Sequence, residues 1–400
     1  MRAGVVAAVV ASVLLPFAAA VAAIHDPGGA TAPGRDSKPG ESQAHAHAGA
    51  SATGAHPLRH VFLIVLENQS FGVTFGRTSP SPYLAKTLRA QGVLLSNYYG
   101  IGHSSLDNYL ALISGQAPNP DTQGDCPVVT EFHLTRPGLD SHGQALGRGC
   151  MYPGIVRTLP DQLEAAKLTW MGYMEDMGND PARESATCAH TPAGSQEKSY
   201  VAVAGDKYAA RHNPFIYFHR IVDDPSRCAS HVVNLDALPK DLQRVDTTPN
   251  YSFISPNLCN DGHDAKCVDG QPGGFQGIES FLRKWVPLIM ESPAYRQDGL
   301  LIITFDESDS TGPDASTACC GEKPLPGEQQ QPGFNGPGGG KTGAVLLSPF
   351  IKPGTTSTVS YNHYSTLRSI EDLFGLEHLG YAGQAGLQTF GSDIFQPAAR

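Results

Sequence analysis

The sequence predicts an α/β fold in which a mostly parallel central sheet is covered by helices on both faces. The first observation is that apolar, β-branched runs recur without alternation of apolar and polar residues, as expected for strands buried on both faces of a parallel sheet. The second is that amphipathic segments with helical spacing lie between these runs. The apolar runs are 60–66, 251–255, 300–305 and 343–350.

Three segments between or after these runs have the features of helices. Residues 81–92 carry a proline near the start and a glycine at the end, which are typical start and stop signals. Residues 277–290 and 364–375 repeat apolar side chains at helical spacing. Two long Gly- and Pro-rich stretches, 118–154 and 311–343, are too irregular for core elements, so we predict loops that line a site or lie disordered.

The chain begins with a pattern typical of export. In residues 1–23, Arg2 precedes an apolar core that ends in small residues, as in a secretory signal. A membrane anchor is the alternative, but the apolar run is short and no basic cluster follows it. Residues 24–56 are poor in aromatics and rich in Ala, Gly, Pro, Ser and His, which predicts a disordered linker. Residues 57–400 show no composition break, which indicates one domain of a secreted, extracellular protein.

The cysteine content agrees with export, because disulfides persist outside the cytoplasm. No Cys-x-x-Cys pair occurs, which argues against a structural zinc ribbon. We expect the adjacent Cys319 and Cys320 to bond elsewhere rather than to each other. The sequence does not choose among the many pairings that eight cysteines allow. Two pairs could close local loops, Cys126 with Cys150 and Cys259 with Cys267.

The charge of the chain limits its partners. A formal net charge of −10 argues against a broad basic surface for nucleic acid or anionic membranes. A local cationic pocket for an anionic substrate is compatible with it. After the N-terminal segment, no stretch is long and apolar enough to span a bilayer. We therefore predict no nucleic-acid partner, no stable membrane anchor and a monomer.

Acidic residues follow two of the predicted strands at the point where each strand ends. Glu67 and Asn68 come directly after the first strand, and Asp306 and Glu307 follow the run at 300–305. Ligands of an open parallel sheet bind at the carboxyl ends of its strands. Carboxylates packed together at this edge cannot all stay ionised unless a cation compensates them. The two pairs together favour a divalent metal site, although either pair alone is compatible with a solvated strand end.

A helix with a serine at its start follows further along the chain. In "GHSSLDNYLALISG", residues 102–115, the apolar spacing predicts a helix with Ser105 at or near its N-cap. A capping role is the ordinary interpretation. A hydroxyl at a helix N-terminus beside a metal is also a good nucleophile, because the helix dipole and the cation both stabilise its alkoxide.

Other polar residues could bind metal or act on a leaving group. Asn257, Asp261, His263 and Asp264 share the loop "SPNLCNDGHDAKC", for which an ordinary Asn/Asp/Gly turn is the alternative. His363 stands just before a predicted helix, where a histidine is more often a packing residue than a ligand. A lysine in a Gly-rich stretch, Lys341, could meet an anion or only water.

Six motifs follow one another along the chain: "HVFLIVLENQSF", "GHSSLDNYLALISG", "SPNLCNDGHD", "ITFDESD", "GGKTGAVLLSPFIKPG" and "NHYSTLRSIEDLFGL". In this order they resemble the bacterial phosphoesterase family, which contains secreted acid phosphatases and bacterial phospholipases C and belongs to the alkaline-phosphatase-like superfamily. The resemblance covers roughly residues 58–395 and is closest to short, cysteine-containing acid phosphatases secreted by actinobacteria, some of which act on phosphoinositide monophosphates. It implies a three-layer sandwich with a mostly parallel central sheet.

The resemblance implies a metal site at the strand ends. Glu67 and Asn68 match the family's metal-binding pair, and Asp306 and Glu307 match the acidic pair that completes the site. Many superfamily members have Asp-His where this chain has Asp-Glu, which favours one oxygen-ligated cation over a two-zinc centre. The expected cofactor is a divalent cation, with Ca, Mg, Mn and Zn all open.

The resemblance also implies which residues act on the substrate. Ser105 matches the nucleophile and is a better candidate than Ser104, because a glycine follows it ten residues later, as in the superfamily. His263 and Asp264 match a segment that contacts phosphate or metal, and His363 matches a late histidine near the site. The predicted substrate contacts are Asn108, Asn257, Asp264 and Lys341.

Together these residues predict a secreted, metal-dependent acid phosphatase that hydrolyses phosphate monoesters, phosphoinositide monophosphates among the candidates, through a phosphoserine. Ser105 attacks phosphorus, and His263 or His363 protonates the leaving oxygen. One alternative is a phospholipase C-type phosphodiesterase, although those relatives are generally longer. Another is a non-catalytic, metal-stabilised binding protein, which is disfavoured because every motif position holds a competent residue.

Overall fold

The computed structural model describes residues 58–327, 331–333 and 336–397. The predicted signal, 1–23, and the predicted linker, 24–56, lie outside the described residues. The strands in the described part are β1 (His60–Leu66), β2 (Val93–Tyr99), β3 (His133–Leu139), β4 (Ala145–Arg148), β5 (Trp170–Met174), β6 (Val232–Asn234), β7 (Tyr251–Ser255), β8 (Gly299–Phe305), β9 (Ala344–Leu347) and β10 (Thr355–Asn362).

Helices alternate with these strands, as predicted. The segment 81–92 is helical from Tyr83 to Gln91, and its first part, Tyr83–Leu88, has π-helical hydrogen bonding. The helices predicted at 277–290 and 364–375 are both present. The α-helices are α1 (Phe71–Thr74), α2 (Arg89–Gln91), α3 (Ser105–Ser114), α4 (Leu159–Ala165), α5 (His219–Val222), α6 (Pro225–His231), α7 (Leu238–Asp241), α8 (Gly274–Glu291), α9 (Pro293–Asp298) and α10 (His363–Phe374).

The main sheet has the strand order β10-β2-β9-β8-β1-β7-β5-β6 and is mostly parallel, which confirms the predicted fold class. Within it, β9 runs antiparallel to both of its neighbours, β2 and β8. The reason is the β8–β9 connection: its described residues, 306–327, 331–333 and 336–343, contain no crossover helix, so β9 starts at the edge where β8 ends and runs back. The expectation that the run 343–350 forms a parallel strand is therefore wrong.

Of the two predicted loops, 118–154 contains the largely exposed β3–β4 hairpin.

Strand β1 shows why the domain has three layers. All seven of its residues are buried, and parallel strands β7 and β8 flank it on its two sides. Successive side chains of a strand point to opposite faces. Val61, Leu63 and Val65 therefore enter one core together with apolar residues of α3 and α10. The alternate residues Phe62, Ile64 and Leu66 enter a second core with the apolar stripe of α8.

The described cysteines are all paired. Both predicted local disulfides are present. The expectation that Cys319 and Cys320 bond elsewhere is wrong: they pair with each other, because the other six cysteines pair among themselves and leave no other partner. The pairs are Cys126–Cys150, Cys188–Cys228, Cys259–Cys267 and Cys319–Cys320. Across the described residues, no helix combines the length and apolar character needed to cross a membrane.

Helix α10 contains a buried carboxyl that makes stability depend on pH. Glu371 accepts a hydrogen bond from the backbone N–H of Leu379 at 2.9 Å, while its Oε2 has no partner. Burial raises the pKa of Glu371 to about 9. The folded protein therefore keeps this proton up to about pH 9, whereas the unfolded chain releases it near its ordinary pKa of 4.5. The favourable contribution of this carboxyl group to the free energy of unfolding is therefore fully present below pH 4.5 and is lost as the pH rises towards 9.

We expect Glu371→Gln to raise the melting temperature at pH 8 by roughly 5 °C, because glutamine has no proton to release on unfolding. At pH 4 the variant should be no more stable than the wild type. Thermal unfolding from pH 4 to 9 measures both, with the exposed Glu377→Gln as the matched control. A difference in melting temperature that is constant across this range would contradict the prediction.

Candidate functional site

Residues at the ends of β1 and β8 meet at one edge of the sheet. The two strands are parallel neighbours in which Leu66 pairs with Phe305, so Glu67 and Asp306 emerge side by side. The backbone of Asn68 adopts a left-handed conformation, with φ 58°, and its N–H donates to Asp306 Oδ1 at 3.0 Å. Asparagine tolerates this conformation better than most residues. The structure therefore brings Glu67, Asn68 and Asp306 together, as the sequence predicts.

A third carboxylate, that of Asp261, joins this group from the loop after β7. The backbone N–H of Glu67 donates to the carbonyl oxygen of Asp261 at 2.9 Å. The residue after Asp261 is Gly262, whose φ is 113°. A Cβ at this position would lie 2.9 Å from the carbonyl oxygen of Glu67. Because only glycine fits there, the loop "NDGHD" can press against the end of β1.

The three carboxyl groups are fully buried and incompletely satisfied. Oε1 of Glu67, Oδ2 of Asp261 and Oδ2 of Asp306 have no hydrogen-bond partner among the described residues. Burial raises the pKa of each group well above its usual range, and a neighbouring carboxylate raises it further. Buried carboxylates with unused oxygens fit a hard divalent cation, which would compensate their charge.

The hydroxyl of Ser105 points at this group. Ser105 is the first residue of α3, and its Oγ donates to Glu67 Oε2 at 2.8 Å. The preceding Ser104 occupies the cap position, but its hydroxyl donates to the carbonyl oxygen of Gln123 at 2.6 Å. Ser105 is therefore not an ordinary N-cap, and of the two serines only Ser105 presents its oxygen to the carboxylates.

Sequence reasoning missed His212, which lies between two of the carboxylates. Its Nε2 is 3.3 Å from Glu67 Oε1 and its Nδ1 is 3.2 Å from Asp261 Oδ2. Burial, followed by the charge of Arg211, holds the pKa of His212 well below its usual value. A neutral imidazole carries one N–H, so at least one of its nitrogens faces a carboxylate with a lone pair. That arrangement also fits a shared cation.

Arg211 brings a positive charge beside the acidic group. It is 4% exposed, and its Nη1 donates to the carbonyl oxygen of Tyr200 at 2.6 Å. Its Nη2 lies 3.1 Å from His263 Nε2 and its Nε lies 3.9 Å from Asp125 Oδ2. Arginine can only donate, so His263 accepts at Nε2 and donates from Nδ1 to Asp264 Oδ1, at 2.8 Å. The guanidinium and this imidazole thus form one hydrogen-bonded unit.

The short turn Ala210–His212 carries both missed residues. The ring of His212 stacks on Tyr109 of α3, with centroids 5.1 Å apart. No periodic pattern in the sequence marks this turn. The sequence offers one signal here, an arginine followed by a histidine outside the predicted strands and helices. This signal is weak, because such pairs are common on protein surfaces.

The structure places Glu307 and Asn108 under the turn before α3. Oε2 of Glu307 accepts from the N–H of Ser104 at 2.7 Å and from Asn108 Nδ2 at 3.1 Å. Its Oε1 lies 3.1 Å from His103 Nδ1. Asn108 Oδ1 accepts from the backbone N–H of Ile101 at 2.7 Å. These contacts engage the side-chain atoms predicted to bind metal and substrate, and they hold both side chains against the turn before α3.

His363 lies behind the site rather than in an open cleft. It is fully buried, with Nδ1 3.0 Å from the hydroxyl of Tyr98 and Nε2 hydrogen-bonded to the carbonyl oxygen of Asp306. Burial lowers the pKa of His363 to about 4. A neutral imidazole with both nitrogens engaged does not reach a leaving group. Its geometry therefore argues against the predicted acid role and indicates that it positions Asp306.

Two predicted substrate contacts are engaged elsewhere. Asn257 donates to Asp176 Oδ2 at 2.9 Å and accepts from the backbone N–H of Cys259 at 3.0 Å, which shapes its own turn. Lys341 Nζ lies 4.7 Å from the centre of the Phe71 ring. The geometry therefore argues against substrate contacts by Asn257 and Lys341. His263 and Asp264 instead line a cavity together with Asp125 and Arg211.

Comparison with known proteins identifies the family of this chain. The Phosphoesterase family model matches residues 81–377. A probable acid phosphatase from Kluyveromyces lactis is 26% identical over 330 residues, which cover 81% of this chain and 60% of that protein. The phosphate-repressible acid phosphatase of Penicillium chrysogenum is 25% identical over 73% of this chain and 54% of its own length. The chain thus spans little more than half of these two fungal relatives.

A bacterial relative matches more completely. The phosphatidylinositol-3-phosphatase of Mycobacterium tuberculosis is 27% identical over 338 residues, which cover 84% of both chains. Among solved structures, a protein of the alkaline phosphatase superfamily from Vibrio parahaemolyticus has a TM-score of 0.47 at 9% identity, covering 81% of this chain and 68% of that one. Because that score is below 0.5, membership rests on the family model, which spans well over half of the chain. The protein belongs to the phosphoesterase family.

Proposed function

We propose that this protein is a secreted, metal-dependent acid phosphatase that hydrolyses phosphate monoesters with Ser105 as the nucleophile. The observation that carries the proposal is the hydrogen bond from Ser105 Oγ to Glu67 within a group of buried carboxylates. A serine that only capped the helix would instead direct its oxygen to a backbone N–H of the first turn. The names of the acid phosphatase relatives support the same reaction.

The proposed reaction has two steps. As Ser105 Oγ attacks phosphorus, its proton passes to Glu67 Oε2, 2.8 Å away. The bond between phosphorus and the ester oxygen breaks, the leaving oxygen takes a proton from the solvent, which the attacking water returns in the second step, and Ser105 carries the phosphoryl group. Water then attacks the phosphoserine, inorganic phosphate is released and the serine regains its proton. Two displacements give overall retention at phosphorus.

Other residues of the site have roles in this reaction. The buried guanidinium of Arg211 would stabilise the charge on the phosphoryl oxygens, which is the main requirement of phosphoryl transfer. Of the two histidines predicted to protonate the leaving oxygen, His263 is the one that lines the cavity, with its side chain 33% exposed. Its Nε2 accepts from Arg211 and its Nδ1 donates to Asp264, so it could act as the acid only after its bond to Arg211 is broken and Nε2 takes up a proton. His363 is reassigned to positioning Asp306, since its Nε2 is hydrogen-bonded to that residue's carbonyl oxygen.

The residues that would hold the cation are Glu67, Asp261 and Asp306, with Asn68 and His212 adjacent. When bound, a divalent cation would stabilise negative charge on the serine oxygen and on the phosphoryl group. Three carboxylates favour an oxygen-loving cation such as Ca, Mg or Mn, whereas His212 also admits Zn. Export is supported by the four disulfides of the described residues.

We expect chelation to abolish hydrolysis of p-nitrophenyl phosphate and restoration of one divalent cation to recover it. Chelation should also lower the melting temperature, because a cation that binds only the folded state stabilises it. The measurement is turnover from pH 4 to 9 before chelation, after it, and with single cations restored. Melting temperatures are recorded on the same samples.

The outcomes separate the alternatives. Full turnover after exhaustive chelation, with no change in melting temperature, would contradict the cation. Faster turnover of bis(p-nitrophenyl) phosphate than of the monoester would favour a phosphodiesterase. A melting temperature that depends on the cation, without turnover of either ester, would favour a binding protein.

A further inference from the structure

A cavity of about 340 Å³ opens beside the first turn of α3. Asp125, on its lining, accepts the N–H of Leu106 at 2.9 Å, and Leu106 directly follows the proposed nucleophile. Arg211 and His263, also on its lining, belong to the site described above. The part of a substrate that would extend from the phosphoryl group into this space is its leaving group. The lining residues are Asp125, Tyr200, Val201, Ala202, Arg211, Leu258, His263 and Asp264.

One wall of the cavity is apolar and held in place. Val201 is 61% exposed, the highest value among the exposed large hydrophobic residues of the described part. Its carbonyl oxygen accepts from Arg183 Nη2 at 2.7 Å, and that of Tyr200 accepts from Arg211 Nη1 at 2.6 Å. The guanidinium of Arg211 also lies 4.9 Å from the centre of the Tyr200 ring. The backbone of this wall is thus held in place, while the side chain of Val201 stays exposed. An apolar group placed against the Val201 side chain would remove apolar surface from water.

The polar wall carries no surplus positive charge. The carboxylate of Asp125 lies 3.9 Å from Arg211, and that of Asp264 accepts from His263 at 2.8 Å. The cavity therefore has two carboxylates against one guanidinium. The single positive charge is needed by the phosphoryl group, so a leaving group that brings a second negative charge would meet the carboxylates instead.

We propose that this cavity is a leaving-group subsite that selects phosphate monoesters of uncharged aromatic or apolar alcohols, with Val201 as a specificity-determining residue. The proposal rests on the phosphatase function proposed above. It predicts that esters whose leaving group carries its own anionic charge are poor substrates, and a phosphoinositide monophosphate, with its phosphodiester, is one of them.

The test compares kcat/KM for phenyl phosphate, 4-carboxyphenyl phosphate and glycerol 2-phosphate. Wild-type protein should prefer phenyl phosphate to its carboxylated analogue. Val201→Ser should lower kcat/KM for phenyl phosphate about fivefold and for glycerol 2-phosphate by less, because only the ring covers the valine. Val201→Lys should raise kcat/KM for 4-carboxyphenyl phosphate relative to phenyl phosphate by about fivefold, since it adds the missing positive charge.

The matched control is Leu288→Ser on α8, another exposed apolar residue, which should leave the three ratios unchanged. Equal effects of the Val201 variants on all three esters, or no effect on any, would overturn the subsite while leaving the phosphatase function intact. Absence of wild-type turnover on every ester would instead overturn the phosphatase function and the subsite with it. Val201 is exposed, so both variants should fold, and thermal unfolding checks that they do.

Discussion

Ser105→Ala is expected to lower turnover of phosphate monoesters by about 10³-fold or more, because it removes the atom proposed to attack phosphorus. Ser104→Ala should stay within about tenfold of the wild type, since its hydroxyl donates to the carbonyl oxygen of Gln123 and not to a carboxylate. The measurements are kcat with p-nitrophenyl phosphate and acid-quench mass spectrometry, which should detect a phosphoryl group on Ser105 of the wild type.

The neighbouring serine is the matched control for this prediction. Both serines stand at the start of α3, so a loss of activity through a damaged helix start should affect both variants. Thermal unfolding of the two variants checks that each is folded. An inactive Ser104→Ala variant beside an active Ser105→Ala variant would assign the nucleophile to Ser104. A phosphoryl group trapped on neither serine would argue against a covalent intermediate.

Glu67→Gln is expected to lower turnover on the order of 10³-fold while leaving the metal-free protein at least as stable as the wild type. The carboxyl of Glu67 is buried beside Asp306, and both factors raise its pKa, so its ionised form is costly without a cation. Glutamine keeps an oxygen that can accept from Ser105 but removes that charge. The stabilisation that an added divalent cation brings to the wild type should therefore be largely lost in the variant.

The measurement is the melting temperature with and without each cation, together with kcat. Glu377→Gln serves as the control, because this carboxylate is exposed and pairs with Arg157 at the surface. A cation-dependent rise in melting temperature equal to that of the wild type would show that Glu67 is not a ligand. A large loss of stability in the metal-free variant would show that the charge of Glu67 in the wild type is compensated by other groups of the protein.

The strand ends were predictable because they depend on local patterns. An apolar run such as "HVFLIVL" without alternation is compatible with few structures other than a strand covered on both faces. Glu67 and Asp306 follow two such runs, and parallel strands place their carboxyl ends at one edge. That these two strands are direct neighbours is a property of the topology, which no local pattern contains.

Other residues could not be predicted for the same reason. Arg211 and His212 reach the site because a short turn packs on α3 through the stack of His212 on Tyr109. A histidine just before a predicted helix looks the same in sequence whether it faces a cleft or a core. His363 faces the core, where Tyr98 and the carbonyl of Asp306 enclose it.

By itself, the sequence determined the fold class and the family motifs, because period, composition and motif order are written along the chain. Only the tertiary structure decided which motif residues face one another. Burial and hydrogen-bond partners depend on segments far apart in sequence, as for Ser105 with Glu67 and for Glu307 with Ser104. The tertiary structure also set the pairing of Cys319 with Cys320, since that depends on where the other six cysteines lie.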